Sequence, residues 1–374
     1  MTMVAAMRSR CTWAILAMAI VVVTPARSGH ESPVYPSFYP HEIELAAMTP
    51  DRAAGLLLSG KIQAYVGNAP RFAAAPPGHI GSIESLGSFV IVRVNPASPK
   101  AGDEQAACAV ADAVVRGLAA RHAGLVAHPF PVTPFNGDYL DYVDLAEAAK
   151  TRVLGSGGGP AKSDAQPKLR TGPQDPDWDA EITEVRAADL VAGAGFAVNA
   201  WSGPAWLRTG WFQAYLLLGQ LAGDDVRRKV EPQLRRLESA AYDNAVERIN
   251  LQRALVSSLA ANCRVRIAGY TVRREYFSSA STGGIENISY DPVTGFNAPM
   301  FVRTVKLKDF PWNGWLALGI DAVPAAAWNP IAGFNDDFGR MLWSAAGDPG
   351  LIPSPYDPAW MFNRISDVQS SKGR

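Results

Sequence analysis

The sequence predicts an α/β protein in two parts: an N-terminal domain with a β–α–β unit and a larger second part in which helices precede strands. Two observations support this fold class. Short β-branched runs alternate with helical patterns before residue 152. A segment rich in glycine and proline then separates them from a long helical region and further strand candidates. Since strands that alternate with helices pair in parallel through right-handed crossovers, we expect a parallel pair in the first part.

The N-terminal domain is predicted to span residues 29–152. Thr49 suits the N-cap of its first helix, Pro50 suits the first helical position, and Gly60 ends the helix. In the second helix Cys108 belongs to an apolar stripe with intervals of three and four residues. The predicted elements are strands at 41–48, 62–66 and 89–94 and helices at 50–59 and 104–120.

Residues 153–177 are predicted to be a flexible linker or insertion, because they hold few apolar side chains with which to offset the entropy of ordering. A C-terminal α+β part with a tryptophan-rich end follows at 178–374. It is predicted to contain a helix at 203–222, a long helical region at 224–262 and strands at 264–277, 286–290 and 300–308. The last two strands flank a turn at Asp291, Pro292 and Gly295, which is typical of a hairpin with a longer loop.

Residues 1–28 are predicted to be a secretory signal peptide. Arg8 and Arg10 precede an uncharged stretch from Cys11 to Val23, and Ala26 and Ser28 complete an A-x-S cleavage pattern. We therefore expect an exported mature chain that begins at Gly29 and has no membrane span; the alternative is an uncleaved N-terminal anchor. The alanine, glycine and arginine content is typical of a high-GC bacterium, which makes the periplasm the expected compartment.

Charge and motifs exclude several function classes. Removal of the signal peptide leaves three more acidic than basic residues, so nucleic acid is not expected as a partner. The sequence has no GxSxG elbow, no HExxH and no phosphate loop, and the glycines of Gly193-Ala-Gly195 lack the later glycine of a dinucleotide turn. We expect no cofactor, and the sequence favours a protein without catalytic activity.

Cys108 and Cys263 would remain after cleavage in an oxidising compartment. They could form one disulfide, which is common in exported proteins. Alternatively, both are buried small apolar residues, an interpretation favoured by the position of Cys108 on the apolar face of its helix.

Aromatic residues provide the first candidate ligand-binding side chains. Tyr39 lies in a proline-rich arm at residues 29–40, and His41 directly follows that arm. The imidazole groups of His41 and His30, together with a free amino terminus, could bind copper. An arm that packs over the core is the alternative.

Trp312 and Trp315 bracket a glycine-containing turn, which suggests that at least one ring lines a cleft or a contact surface. Core packing is again the alternative.

Arginines in apolar strand contexts provide the remaining candidates, Arg273 and Arg303. A buried guanidinium requires a carboxylate or an anionic ligand, because an unpaired charge in the interior is costly. The partner is either an internal salt bridge or a bound anion.

The segment TPDRAAGLLLSGKIQAYVG, Thr49–Gly67, resembles periplasmic solute-binding proteins of the two-lobed α/β kind. In that family a helix ends in an L-x-x-G-K/E turn and leads into a short strand near the ligand cleft. The segment SLGSFVIVRVNPASP, Ser85–Pro99, is similar to the family's hinge-proximal strand and the loop after it. The resemblance covers about 70 residues and assigns no ligand residue. It implies a two-lobed fold with a solute in the cleft.

The sequence thus favours a non-catalytic periplasmic binding protein, or a binding-like accessory subunit, for a small molecule. The alternative is a partner-binding or assembly factor for an exported redox or envelope complex, which would use the aromatic C-terminal surface. A metal-dependent enzyme that uses His30 and His41 is the third hypothesis.

Overall fold

A seven-stranded mixed sheet organises the protein in a computed structural model, which describes residues 40–155, 167–193, 205–310, 314–324, 336–346 and 350–363. The fold is α/β, as the sequence predicts. The predicted signal peptide, Tyr39 and Trp312 lie outside the described residues. Among the described residues, no helix combines the length and apolar character that a membrane crossing requires.

The described strands and helices follow the chain in this order. The strands are β1 (Glu42–Ala47), β2 (Ala64–Val66), β3 (Ile80–Val94), β4 (Leu125–Ala127), β5 (Ala180–Arg186), β6 (Val265–Ser278), β7 (Ile285–Glu286), β8 (Lys306–Leu307), β9 (Trp315–Ile320), β10 (Leu351–Pro353) and β11 (Trp360–Phe362). The α-helices are α1 (Pro50–Leu58), α2 (Glu104–Arg121), α3 (Val143–Leu154), α4 (Ala187–Gly193), α5 (Gly210–Ala214), α6 (Asp224–Glu238), α7 (Ala245–Ala260), α8 (Pro299–Thr304) and α9 (Asp337–Ala346).

The strand order in the large sheet is β1-β9-β2-β6-β3-β5, and β4 pairs with β6. β1 and β2 run parallel, as expected for a β–α–β unit, but β9 lies between them and is parallel to both. β6 is antiparallel to β2 and β3. The sheet therefore combines strands from both sides of residues 153–177, and the domain boundaries proposed at 152 and 178 stay predictions.

Local sequence signals explain several of these elements. The Thr49 hydroxyl accepts a hydrogen bond from the Arg52 N–H at the start of α1, and the Asp103 carboxylate accepts one from the Ala106 N–H at the start of α2. α2 packs its small apolar side chains, among them Ala111 and Val115, against β3 and β6. The predicted helical region at 224–262 is confirmed as two helices, α6 and α7, which pack against each other.

Cys108 and Cys263 form a disulfide, with their Cα atoms 4.6 Å apart. It joins α2 to the residues just before β6 across 155 positions of the chain. A crosslink over a loop of this length removes chain entropy from the unfolded state that is worth about 4–5 kcal/mol in the entropic description. Of the two interpretations left open by the sequence, the disulfide is the correct one.

The strand predicted at 300–308 is wrong. Residues Pro299–Thr304 form the helix α8, and only Lys306–Leu307 are extended. Pro299 occupies the first turn of the helix, and Met300 to Thr304 are all buried, so this segment has no solvated face. The strand predicted at 286–290 shortens to β7, which pairs antiparallel with β8.

The predicted helix at 203–222 is broken where the structure describes it. A 3₁₀ turn over Ala205–Arg208 leads into α5, and a π-helical turn over Tyr215–Gly219 follows.

Residues 167–177, the described end of the predicted linker, contact the sheet. The Arg170 guanidinium pairs with the Glu181 carboxylate at 2.9 Å, and the Arg170 N–H donates to the Ala180 carbonyl.

Candidate functional site

A cavity of about 560 Å³ lies at the carboxyl ends of β2 and β9. Gly67 follows β2 and Asp321 follows β9, and both residues line the cavity. Ligands of α/β proteins bind outside the carboxyl ends of parallel strands, because the loops there diverge and leave a crevice. The remaining lining residues come from β3, from the β5–α4 junction, from β6, from the loop before α8, from the residues after β9 and from the start of α9: Gly87, Ser88, Arg186, Ala188, Thr271, Val272, Arg273, Asn297, Ala322, Val323, Asp336, Asp337 and Phe338.

A β-bulge shapes the part of the cavity formed by β3 and β6. The register between these strands shifts between Leu86 and Phe89, at Gly87 and Ser88. The Ser88 N–H donates to the Thr271 hydroxyl at 3.0 Å instead of to a ladder carbonyl. Bulges turn strands and redirect side chains, and here the bulge brings backbone and hydroxyl groups to the cavity wall.

Arg273 is the predicted ligand-binding residue that lines this cavity. Its Nε donates to the Ser85 hydroxyl at 3.2 Å, and its Nη2 donates to the Val293 carbonyl at 3.4 Å. Nη2 also lies 3.9 Å from Oε2 of Glu275. The side chain is 23% exposed and lines the cavity, so these contacts leave part of Arg273 accessible.

Glu275 is fully buried behind Arg273 and connects three segments of the site. Its Oε1 accepts a hydrogen bond from the Gly67 N–H at 2.6 Å, and its Oε2 accepts one from the Phe296 N–H at 3.0 Å. Burial raises the pKa of this carboxyl, although the Arg273 charge and the two N–H donors oppose the shift. Glu275 therefore fixes the end of β2, the loop before Asn297 and Arg273 relative to one another.

Two glycines are required by this arrangement. Gly67 has a φ of +95°, and a Cβ there would lie 2.9 Å from the Phe338 ring and 3.3 Å from Oδ1 of Asp321. Gly295 has a φ of +65°, and a Cβ there would overlap Oε2 of Glu275. Glycine alone combines a left-handed backbone with the absence of a side chain at these close approaches.

The cavity contains charges of both signs. Arg186 and Arg273 contribute positive charge, whereas Asp321, Asp336 and Asp337 contribute negative charge. The pKa of Asp321 is raised by burial and by the negative charge of Asp337, and Arg186 and Arg273 oppose this shift. Among the described residues, no group of histidine, cysteine and acidic side chains has an arrangement that could hold a metal ion.

The structure separates three of the other predicted site residues, His41, Trp315 and Arg303, from the cavity, and Tyr39 and Trp312 lie outside the described residues. His41 precedes β1 and donates its backbone N–H to the Gly314 carbonyl. Trp315 begins β9 and is 72% exposed. Both lie at the amino ends of the parallel strands, and five residue steps of β9 place Trp315 about 17 Å from the end that faces the cavity. Arg303 is buried in α8, not on a strand as predicted, and does not line the cavity.

Sequence reasoning missed most of the site. Glu275 stands two positions from Arg273 in the predicted strand, so both side chains lie on the same face. The sequence therefore indicates an acidic partner for the predicted ligand-binding arginine. Asp321 directly follows an apolar run, Leu316 to Ile320, and thus occupies the carboxyl end of a strand. Nothing in the local sequence places Gly67 beside Asp321.

Comparison with solved structures finds similarity to periplasmic solute-binding and peptide-binding proteins. The oligopeptide-binding protein AppA of Bacillus subtilis, solved with a nonapeptide, is 11% identical, with 70% of this chain and 59% of that chain covered and a TM-score of 0.37. HbpA2 of Haemophilus parasuis is 12% identical, with 70% and 57% covered and a TM-score of 0.37. The periplasmic murein tripeptide binding protein MppA, in its unliganded open form, is 12% identical, with 69% and 56% covered and a TM-score of 0.37.

The matched region is much longer than the 70 residues that carry the sequence resemblance. The chain spans less than three fifths of the length of the structures it matches. No protein-family model matches the sequence, and no curated protein sequence matches it.

Proposed function

We propose that this protein is an exported, non-catalytic solute-binding protein that holds one small molecule in the cavity at the carboxyl ends of β2 and β9. The observation that supports this proposal best is the cavity itself. Its volume of about 560 Å³ is in the range of pockets that enclose small organic ligands. The signal-like N-terminus supports export to the periplasm.

The residues around the cavity favour a polar ligand with charges of both signs. The positive charge of Arg273, a partly exposed side chain in the cavity wall, suits a carboxylate or another anionic group. Asp321 and Asp337, which also line the cavity, suit an ammonium group. Ser88 and Thr271 bring hydroxyl groups to the same cavity.

Ligand screening on the purified protein tests this function. We expect a panel of amino acids, dipeptides and opines to contain a compound that raises the melting temperature and binds with a stoichiometry of one in native mass spectrometry. At a ligand concentration one hundred times the Kd, mass action adds about 2.7 kcal/mol to the free energy of unfolding. Arg273→Met should abolish that gain. Arg274→Met should retain it, since Arg274 is exposed and pairs with Glu84 at 2.8 Å.

The absence of any stabilising compound from the panel, together with the absence of a co-purified ligand, would contradict the solute-binding proposal.

The alternative function, partner binding or assembly of an exported complex, is favoured by one observation. Phe310 and Trp315 expose 63% and 72% of their surfaces at the end of the sheet opposite the cavity. Exposed aromatic residues of this kind are enriched at protein interfaces.

A further inference from the structure

The disulfide between Cys108 and Cys263 has a buried guanidinium beside it. Arg266 in β6 is 1% exposed, and its Nη2 donates to Cys263 Sγ at 3.1 Å. The same nitrogen lies 3.8 Å from Cys108 Sγ. A neutral disulfide sulfur is a weak acceptor, so the oxidised protein gains little from this contact.

The surroundings of Arg266 keep its charge close to the sulfur atoms. Nη1 donates to the Ala260 carbonyl at 2.9 Å, and Nε lies 3.2 Å from Oδ1 of Asp112. Burial lowers the pKa of Arg266, and the nearby positive charge of Arg152 lowers it further. The Asp112 carboxylate has the opposite effect and raises this pKa. The guanidinium stays protonated at neutral pH, because arginine titrates far above that range.

The two cysteine residues differ in accessibility. Cys263 is 3% exposed, whereas Cys108 is only partly buried on α2. An external thiolate therefore reaches Cys108 more readily, and the sulfur that it displaces is the one that faces Arg266. A thiolate beside a positive charge has a lowered pKa and is a better leaving group.

We propose that Cys108–Cys263 is an exchangeable disulfide, in which an external dithiol attacks Cys108 and Arg266 stabilises the departing Cys263 thiolate. One thiolate of the dithiol forms a bond to Cys108 Sγ, and the bond between the two cysteines breaks. The electron pair of that bond leaves with Cys263. The second thiol of the reductant then loses its proton and displaces Cys108, and the dithiol leaves as its disulfide. Of the two protons that the dithiol releases, one goes to Cys108, and the other enters the solvent while Arg266 holds Cys263 as a thiolate.

Equilibration with reduced and oxidised dithiothreitol, followed by alkylation and mass spectrometry, tests the role of Arg266. We expect Arg266→Met to shift the equilibrium about tenfold towards the disulfide, which corresponds to a reduction potential lower by about 30 mV. Arg266→Lys, which keeps the charge, should give a smaller shift. Arg264→Met is the matched control, since Arg264 is exposed two positions earlier, and it should match the unmodified protein. Equal equilibria in the Arg266→Met and Arg264→Met proteins would overturn the proposal.

Two measurements do not depend on the folding of the Arg266→Met variant. In folded Cys108→Ser protein, absorbance at 240 nm should place the pKa of the Cys263 thiol below the ordinary value of about 8.5. A value at or above that one would overturn the proposal. When glutathione reduces the folded, unmodified protein, the mixed disulfide that is trapped should join glutathione to Cys108. Glutathione on Cys263, or a disulfide that glutathione reduces only after the protein unfolds, would overturn it as well.

Discussion

The carboxylate of Glu275 occupies the space that a side chain at Gly295 would fill. The Gly295 backbone turns with a φ of +65°, and the next residue, Phe296, donates its N–H to Oε2 of Glu275. The fixed position of this buried carboxylate, and with it the wall of the cavity, thus depends on a glycine twenty residues away.

We expect Gly295→Ala to destabilise the protein more than another left-handed glycine does. Gly283 has a φ of +68°, but a Cβ there would meet no atom within 4 Å, so Gly283→Ala measures the backbone strain alone. Gly295→Ala adds overlap with Glu275 and should cost at least about 2 kcal/mol more in denaturant melts. Equal losses in the two variants would show that Glu275 can move away freely.

The raised pKa of Glu275 should appear as a pH dependence of stability. The folded state binds this proton more tightly than the unfolded state, so the associated stability is present at low pH and is lost as the pH rises through the folded-state pKa. We therefore expect the free energy of unfolding of the unmodified protein to fall relative to that of Glu275→Gln between acid and neutral pH. A difference that stays constant with pH would mean that the Glu275 pKa is ordinary in the folded protein.

Asp138 should contribute a second, independent pH dependence. Burial raises its pKa to about 6, although both carboxylate oxygens accept the Gly210 N–H. Stability is therefore lost as the pH rises from about 4 to above 6, by at most about 3 kcal/mol. Asp138→Asn should remove this loss in denaturant melts at pH 4 and pH 7. The exposed Asp225→Asn is the control and should keep it; retention of the loss in Asp138→Asn would assign the effect to another group.

Removal of the disulfide should lower the free energy of unfolding without preventing binding in the cavity. The crosslink joins α2 to the residues just before β6, and its atoms do not line the cavity. We expect the Cys108→Ser, Cys263→Ser double variant to lose about 2–5 kcal/mol in denaturant melts. Calorimetric titration with a ligand of the unmodified protein should give the same Kd for both proteins. A weaker affinity of the variant would mean that the crosslink also orders the cavity.

Trp315 and Trp211 should respond differently to truncation. Trp211 is fully buried against Trp206 and Phe212, and Trp211→Ala should cost about 3–5 kcal/mol. Trp315 is exposed, so Trp315→Ala should cost less than about 1 kcal/mol. Because Trp315 lies at the other end of β9, this change should leave small-molecule binding in the cavity intact and weaken only a protein partner that contacts this surface. Loss of small-molecule binding would instead support the sequence prediction of a ligand site at Trp315.

Local signals in the sequence predicted the elements whose residues interact with near neighbours. Thr49 and Pro50 located the start of α1, and the apolar content of 264–277 located β6. The residues of α8 resemble a strand in sequence because they are buried on all sides, which removes the periodicity that distinguishes a helix from a strand. Arg273 stands out in the sequence because its charge is unusual in an apolar strand.

The remainder of the site depends on contacts between distant residues. Gly67 and Asp321 become neighbours only because β2 and β9 pair, and no pattern near either residue predicts that pairing. The role of Glu275 likewise depends on N–H donors from Gly67 and Phe296, which approach it from two other segments of the chain. One sequence without pairing information therefore reveals single residues of the site but not its assembly.

The central position of β9 has a consequence for the order in which the chain can fold. The Ala317 N–H donates to the side chain of Gln63 across 254 positions, and β9 fills the gap between β1 and β2. Until the ribosome has released residues 315–320, the two earlier strands have no partner between them, and the crevice at their ends cannot close. Contacts of such long range slow folding, because a long loop must be closed before any pairing energy is gained. In a nascent chain of this protein, the walls of the cavity would accordingly stay apart until most of the chain has been synthesised.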